Sequence, residues 1–167
     1  MSDIRYQYYV EGQCEKKLIE ELKRRQAVIS GKVNVFNVKQ KVFTNERLRT
    51  LVRNTVVILV FDTDTKELKT LRDNISILRR HKNIREIWCV MQVENLEDEL
   101  KRAAQVREIK DLLGCKSDKD FKSAFIAEKN LLEKLDKKGF TFAELWTTRP
   151  PREYNDLENA GYRIKKK

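Results

Sequence analysis

Two aspartates, Asp62 and Asp64, stand one residue apart directly behind an apolar run in VVILVFDTDTKE (residues 56–67). Glu11 follows a second apolar stretch in the same abrupt way, in YYVEG, with Glu15 four residues on. A third group, Glu94, Glu97 and Asp98, follows the apolar IWCVMQV. Carboxylates crowded together repel one another unless a proton or a cation relieves them. Hard divalent ions such as Mg²⁺ or Mn²⁺ take oxygen ligands of this kind and keep waters for a phosphate substrate. A metal pair can stabilise both the attacking and the leaving oxygen of a phosphodiester. The residue types therefore point to metal-assisted phosphoryl chemistry, provided that the fold gathers them.

The elements that must do so are legible from periodicity. Residues 4–10 read as a strand, and QCEKKLIEELKRRQAVI reads as a helix that Gly31 ends, with Leu18, Ile19 and Leu22 on one face. KVNVFNVKQKV reads as a second, less buried strand, and NERLRTLVRN as a short helix. VVILVF is a β-branched run suited to a strand covered on both faces. KELKTLRDNISILRR places Leu68, Leu71, Ile75 and Leu78 on one helical face. IREIWCVMQV is a fourth strand and ENLEDELKRAAQV a further helix, with Glu94, Glu97 and Asp98 on a shared face. Strands alternating with helices predict an α/β fold: a four-stranded, mainly parallel sheet flanked by helices, over residues 1–104. Residues 105–167 show no strand pattern. They read as a helical extension packed on the sheet, in which Pro150–Pro151 close the last ordered element and YRIKKK is a mobile basic tail. In open parallel sheets, ligands bind outside the carboxyl ends of the strands, and three of the four strands deliver carboxylate to that edge.

Composition narrows the partners. Among 167 residues, 36 Lys and Arg against 26 Asp and Glu leave a net charge of +10, which suits a polyanion such as nucleic acid. Three separated cysteines and a single histidine, His81, exclude a Cys/His zinc site and a two-histidine mechanism. Cys89 reads as a small core residue, and His81 as a solvated or capping group at a basic helix end. No apolar run reaches membrane-spanning length and MSDIRYQYYV is unlike a signal peptide, so the cytoplasm and no membrane partner are expected.

YYVEGQCEKKLI followed by VVILVFDTDTKE resembles a TOPRIM domain, the fold shared by topoisomerases, primases and the OLD-family and RloB-like nucleases. Such domains carry a glutamate, often in an EG dipeptide, after the first strand and a DxD after the third. Glu11-Gly12 and Asp62-Thr63-Asp64 fill those places. The resemblance covers roughly residues 4–104 and implies that Asp62 and Asp64 bind Mg²⁺ or Mn²⁺. It further implies that Glu11 is a ligand or a general acid/base, that Glu15 joins it as in members with an ExxxE start, and that Glu94, Glu97 or Asp98 completes the set. The glycine that often follows the family's DxD is absent, as are a topoisomerase tyrosine domain, a primase zinc module and a Walker motif, so any ATPase partner is a separate chain. A small metal-dependent nuclease is the expectation. The alternative is a non-catalytic nucleic-acid-binding or adaptor protein, partnered with an ATPase in a defence system or mobile element. DTDTK also resembles the DxDx[TV] motif of haloacid-dehalogenase-type phosphatases, but Lys66 stands at its fifth position and two strands precede it.

Bland readings stand beside these. Asp64 and Glu67 have capping-box spacing for the helix expected to begin there. Glu15 sits where a helix dipole favours a negative charge. Glu97 and Asp98 suit a solvated helix face. Around the acidic edge, Lys16, Lys17, Arg149 and Arg152 are the expected phosphate contacts. Lys66 is a candidate for stabilising a charged phosphate in the transition state, although a basic residue in a first helical turn opposes the dipole.

Overall fold

The computed structural model describes residues 3–167. Four strands, β1 (Arg5–Val10), β2 (Lys32–Val35), β3 (Thr55–Asp62) and β4 (Ile84–Gln92), form one sheet in the order β2-β1-β3-β4, every neighbouring pair parallel. This is the α/β architecture that the alternation of strands and helices predicts. Thr55 to Phe61 are all buried, as the unbroken apolar run of an inner strand requires.

The strand order places the helices. α1 (Gln13–Arg24) packs Leu18, Ile19 and Leu22 against Tyr8, Val10, Val56, Ile58 and Val60 on one face of the sheet. α2 (Asn45–Arg49) precedes β3. α3 (Lys69–Arg79) packs Leu71, Ile75 and Leu78 against Tyr9, Val57, Leu59 and Phe61 on the opposite face. α4 (Leu96–Ala104) returns to the α1 face through Leu96, Leu100 and Ala103. The neighbouring strands β1 and β3 are thus followed by helices on opposite faces. That is a topological switch point, where the carboxyl ends of the two strands border a crevice.

Residues 105–167 contain four short helices, α5 (Lys110–Leu113), α6 (Phe121–Ala127), α7 (Leu131–Lys137) and α8 (Gly161–Ile164), and three single 3₁₀ turns. Their apolar residues Phe121, Phe125, Leu131, Leu135 and Ile164 join the core on the α1 face. Several boundaries differ from the sequence expectation. α1 stops at Arg24, where Gln26 turns the chain in the left-handed region (φ 60°). Gly31 serves a close approach instead: a Cβ there would lie 2.6 Å from the Tyr6 carbonyl oxygen. The order does not end at Pro150–Pro151, because the turn Arg152–Tyr154 and α8 follow. YRIKKK is not a loose tail. Ile164 is fully buried, Ile29 N–H donates to its carbonyl at 2.8 Å, and Lys166 N–H donates to Ala27 at 2.9 Å.

One buried amide holds the β2–α2 connection. Asn74 of α3 is fully buried; its Nδ2 donates to the carbonyls of Val38 (2.8 Å) and Lys41 (2.6 Å), and its Oδ1 accepts from Phe43 N–H (2.8 Å). Asn37 tightens the same loop, accepting from Lys39 N–H at its side chain (3.0 Å) and from Gln40 and Lys41 N–H at its carbonyl. Asn74→Ala leaves three backbone groups without these partners. A loss of about 2–4 kcal/mol in urea unfolding is expected, since a buried polar group left unpaired costs about 1–3 kcal/mol. A loss below about 0.5 kcal/mol, the range of a plain surface change, would contradict this role.

Candidate functional site

The carboxyl ends of β1 and β3 are in register: Val10 pairs with Val35 and with Val60, and Asp62 pairs with Gln92 of β4. This alignment brings Glu11, Glu15, Asp62 and Asp64 to one edge, together with two residues that sequence reasoning passed over, Lys39 and Gln92. Lys39 Nζ lies 2.8 Å from Glu11 Oε1 and 2.6 Å from Asp64 Oδ1, so a single ammonium bridges the β1 and β3 carboxylates. The Asp64 contact is a hydrogen bond, whereas the Glu11 contact is a close charge pair without hydrogen-bond alignment. The Lys39 side chain is only 6% exposed.

Gln92 hydrogen-bonds a second part of the cluster. It is fully buried at the end of β4, and its Nε2 donates to Asp62 Oδ1 at 2.6 Å and to Glu15 Oε1 at 3.3 Å. Charge does the rest. Burial, then the charges of Glu11 and Glu15, push the Asp62 carboxyl from an ordinary 3.8 up to about 8, with Gln92 and Lys39 opposing. Burial also raises Glu15, opposed by its own backbone amide and Gln92 and reinforced by Glu11 and Glu97. For Lys39, burial disfavours the charge, but Asp64 and Glu11 reverse the effect and raise its pKa. The edge thus seats an ammonium on Glu11 and Asp64 and favours the protonated form of Asp62.

The remaining candidates make other contacts. Asp64 does not cap α3, which begins five residues later at Lys69 without a side-chain cap. Glu94 lies before α4, not on its face; it is exposed, in the left-handed region (φ 69°), with its N–H on Thr63 Oγ1. Glu97 pairs with Lys122 at 3.5 Å, and Asp98 with Lys101 at 2.7 Å. The acid that α4 buries is Glu99. It accepts from the N–H groups of Val93 (2.9 Å) and Trp146 (3.0 Å) and pairs with Arg102, joining the end of β4 to the extension. Lys66 is exposed and 3.9 Å from Glu153, and Lys17 pairs with Glu21 at 3.5 Å. Lys16 is half-buried on α1. Arg152 is exposed in the segment whose Tyr154 hydroxyl donates to Thr65 O at 2.7 Å. Arg149 lines a separate cleft with Trp146 and Lys165. Burial holds the Cys14 thiol up at about 11, an inert state beside this edge.

A hard divalent ion is the group such an edge implies. The donor chemistry fits: the candidates are oxygens, and two buried acceptors, Glu11 Oε1 and Gln92 Oε1, have no hydrogen-bond partner. The arrangement with Lys39 seated does not complete a coordination sphere, because no three His, Cys, Asp or Glu side chains among the described residues are grouped to hold a metal. Two clefts of about 420 and 430 Å³ lie along β4 beside Trp88 and at the amino ends of β1 and β3. Neither contains these carboxylates, and the edge is singled out by its crowded charge, not by volume. No helix among the described residues is long and apolar enough to cross a membrane. No family model matches the chain, and no curated protein or solved structure does.

Between about pH 4 and pH 8 the folded chain keeps on Asp62 a proton that the unfolded chain has released. In metal-free buffer, stability therefore falls as pH rises through that window, by up to about 1.4 kcal/mol per pH unit. Asp62→Asn is neutral at every pH and removes this contribution. Its stability relative to wild type should climb from pH 5 to pH 8 and level off above, in urea unfolding across pH. A difference that stays constant would contradict the protonated state.

Proposed function

We propose that this chain is a phosphodiester enzyme acting on nucleic acid, a metal-dependent nuclease with a TOPRIM-like acidic edge. The observation that carries the reading is the meeting of Glu11, Glu15, Asp62 and Asp64 at the switch point between β1 and β3, in a chain of net charge +10. Glu11, Asp62 and Asp64, with Glu15 as a further donor, are the residues that would hold Mg²⁺ or Mn²⁺. Bound there, such an ion supplies Lewis-acid polarisation of a phosphoryl oxygen and an activated water. The chain's own groups do the remainder. Asp62 favours its protonated form in the metal-free edge, so as a ligand it would release that proton when the ion binds. Glu11 is the acid/base candidate, and Lys16 and Lys17 at the start of α1 hold the phosphate backbone.

A second reading is favoured by Lys39. A lysine that already satisfies Glu11 and Asp64 suits a relative that has given up metal chemistry and only binds nucleic acid, as an adaptor for a separate ATPase. One set of assays separates the two. Purified chain is incubated with labelled RNA and DNA in Mg²⁺ or Mn²⁺, and binding is followed by fluorescence anisotropy across a salt series. The nuclease reading expects cleavage that Asp62→Asn lowers by at least about a hundredfold while binding persists. Both readings expect affinity to fall with salt, and Lys16→Ala/Lys17→Ala to flatten the log–log slope by about 0.7–0.9 per lost contact. Salt-dependent binding without cleavage selects the adaptor; cleavage unchanged in Asp62→Asn, or binding that ignores salt, overturns the nuclease proposal.

A further inference from the structure

We infer that Lys39 is the resident cation of the acidic edge: it occupies the place a divalent ion would take between β1 and β3, and the ion enters only when Lys39 leaves. The inference deepens the metal-site reading and rests on it. Its first support is position. Lys39 Nζ is within 2.8 Å of Glu11 Oε1 and 2.6 Å of Asp64 Oδ1, the oxygens of two different strand ends. A magnesium ion takes its oxygens at about 2.0–2.1 Å, so an ion on these two oxygens and the ammonium would compete by contact, and two cations this close also repel.

The second support is that the lysine is built into place. The backbone around it is fixed by the Asn37 turn and by the Asn74 amide, which holds Val38 and Lys41 on either side. Val38 is fully buried, so the backbone of the loop is pinned beside the lysine. A four-carbon stem with a point charge can withdraw without moving the backbone.

The third support is independent of the lysine. Gln92 is fully buried with its amide in the carboxylate cluster, yet its Oε1 has no partner. An unpaired buried acceptor among carboxylates marks a place prepared for a cation or its bound water. Lys39 therefore offsets part of the charge of the unloaded site, and sets the threshold for metal entry.

The test is direct metal binding to the full chain, read as free Mn²⁺ by electron paramagnetic resonance. Lys39→Met and Lys39→Gln should bind Mn²⁺ at least about tenfold more tightly than wild type. Lys39→Arg should stay near wild type, and Lys39→Met/Asp62→Asn should lose the gain. In wild type, the ¹⁵N ammonium resonance of Lys39 should move to the free-lysine position as Mg²⁺ saturates, a measurement that needs no variant to fold. Equal or weaker Mn²⁺ binding by folded Lys39→Met and Lys39→Gln, no Mn²⁺ binding by any form, or a Lys39 resonance unmoved by Mg²⁺ would overturn the inference. If the variants gain Mn²⁺ but wild type cleaves neither RNA nor DNA, the nuclease reading fails and this one stands. If wild type cleaves while the variants gain nothing, the reverse holds.

Discussion

Like charges collected at the end of a parallel sheet must be neutralised, and the structure around the carboxyl edge is arranged for that purpose. Glu11, Asp62 and Asp64 are drawn together by the register of β1 and β3, and Glu15 joins them from the first turn of α1. Left uncompensated in a partly buried place, they would oppose the folding that brings them together. Three compensations meet them: an ammonium from the β2–α2 loop, a neutral amide from the end of β4, and a raised Asp62 pKa that favours its uncharged form. Each comes from a different element, so the edge records the packing of the whole sheet. Gln92 Oε1 is still left buried without a hydrogen-bond partner, and Glu11 Oε1 is held only by the charge of Lys39 at 2.8 Å.

The extension acts on this edge through the connections that leave it. Tyr154 stacks on Phe61, with ring centroids 6.2 Å apart, and its hydroxyl holds the carbonyl of Thr65 just beyond Asp64. Glu99 and Arg102 fasten the exit of β4, Glu99 reaching Trp146 and Arg102 donating to Val93 O at 2.7 Å. Asn159 reaches the backbone of Met91 by accepting from its N–H at 3.0 Å. Residues beyond 104 therefore brace the ends of β3 and β4 as well as adding to the core. Movement of the DxD segment is restrained from outside the sheet.

The sheet was legible in the sequence because its signals are local. The β-branched run before Asp62, the helical spacing of Leu71, Ile75 and Leu78, and the alternation of elements each need only a few neighbouring residues. The strand-end rule then gathers Glu11, Asp62 and Asp64 correctly, and Glu15 follows on the first turn of α1. What failed to show depends on distance along the chain. Lys39 sits in NVKQKV, at the same edge, and was missed because the rule was applied to acids and not to bases. Gln92 ends β4 in register with Asp62, a polar residue in an otherwise apolar stretch; the signal was present, but neutral amides carry no obvious chemistry. Glu97, Asp98 and Glu99 are three consecutive acids, and the helical spacing of Leu96, Leu100 and Ala103 puts the third on the apolar face, a local signal that went unused because acids are ordinarily read as solvated. The tail's anchoring on Ala27 and Ile29 is a long-range pairing that composition argues against.

The central claim is that one position at the switch point of the sheet is held by Lys39 or by a divalent ion, never by both. Crystals soaked in Mn²⁺ and measured at the manganese absorption edge test it most directly. The account predicts an anomalous peak within coordination distance, about 2.0–2.3 Å, of Glu11 and Asp62 oxygens, with Lys39 swung away from Glu11 and Asp64. A peak there with Lys39 still bridging both carboxylates would contradict it.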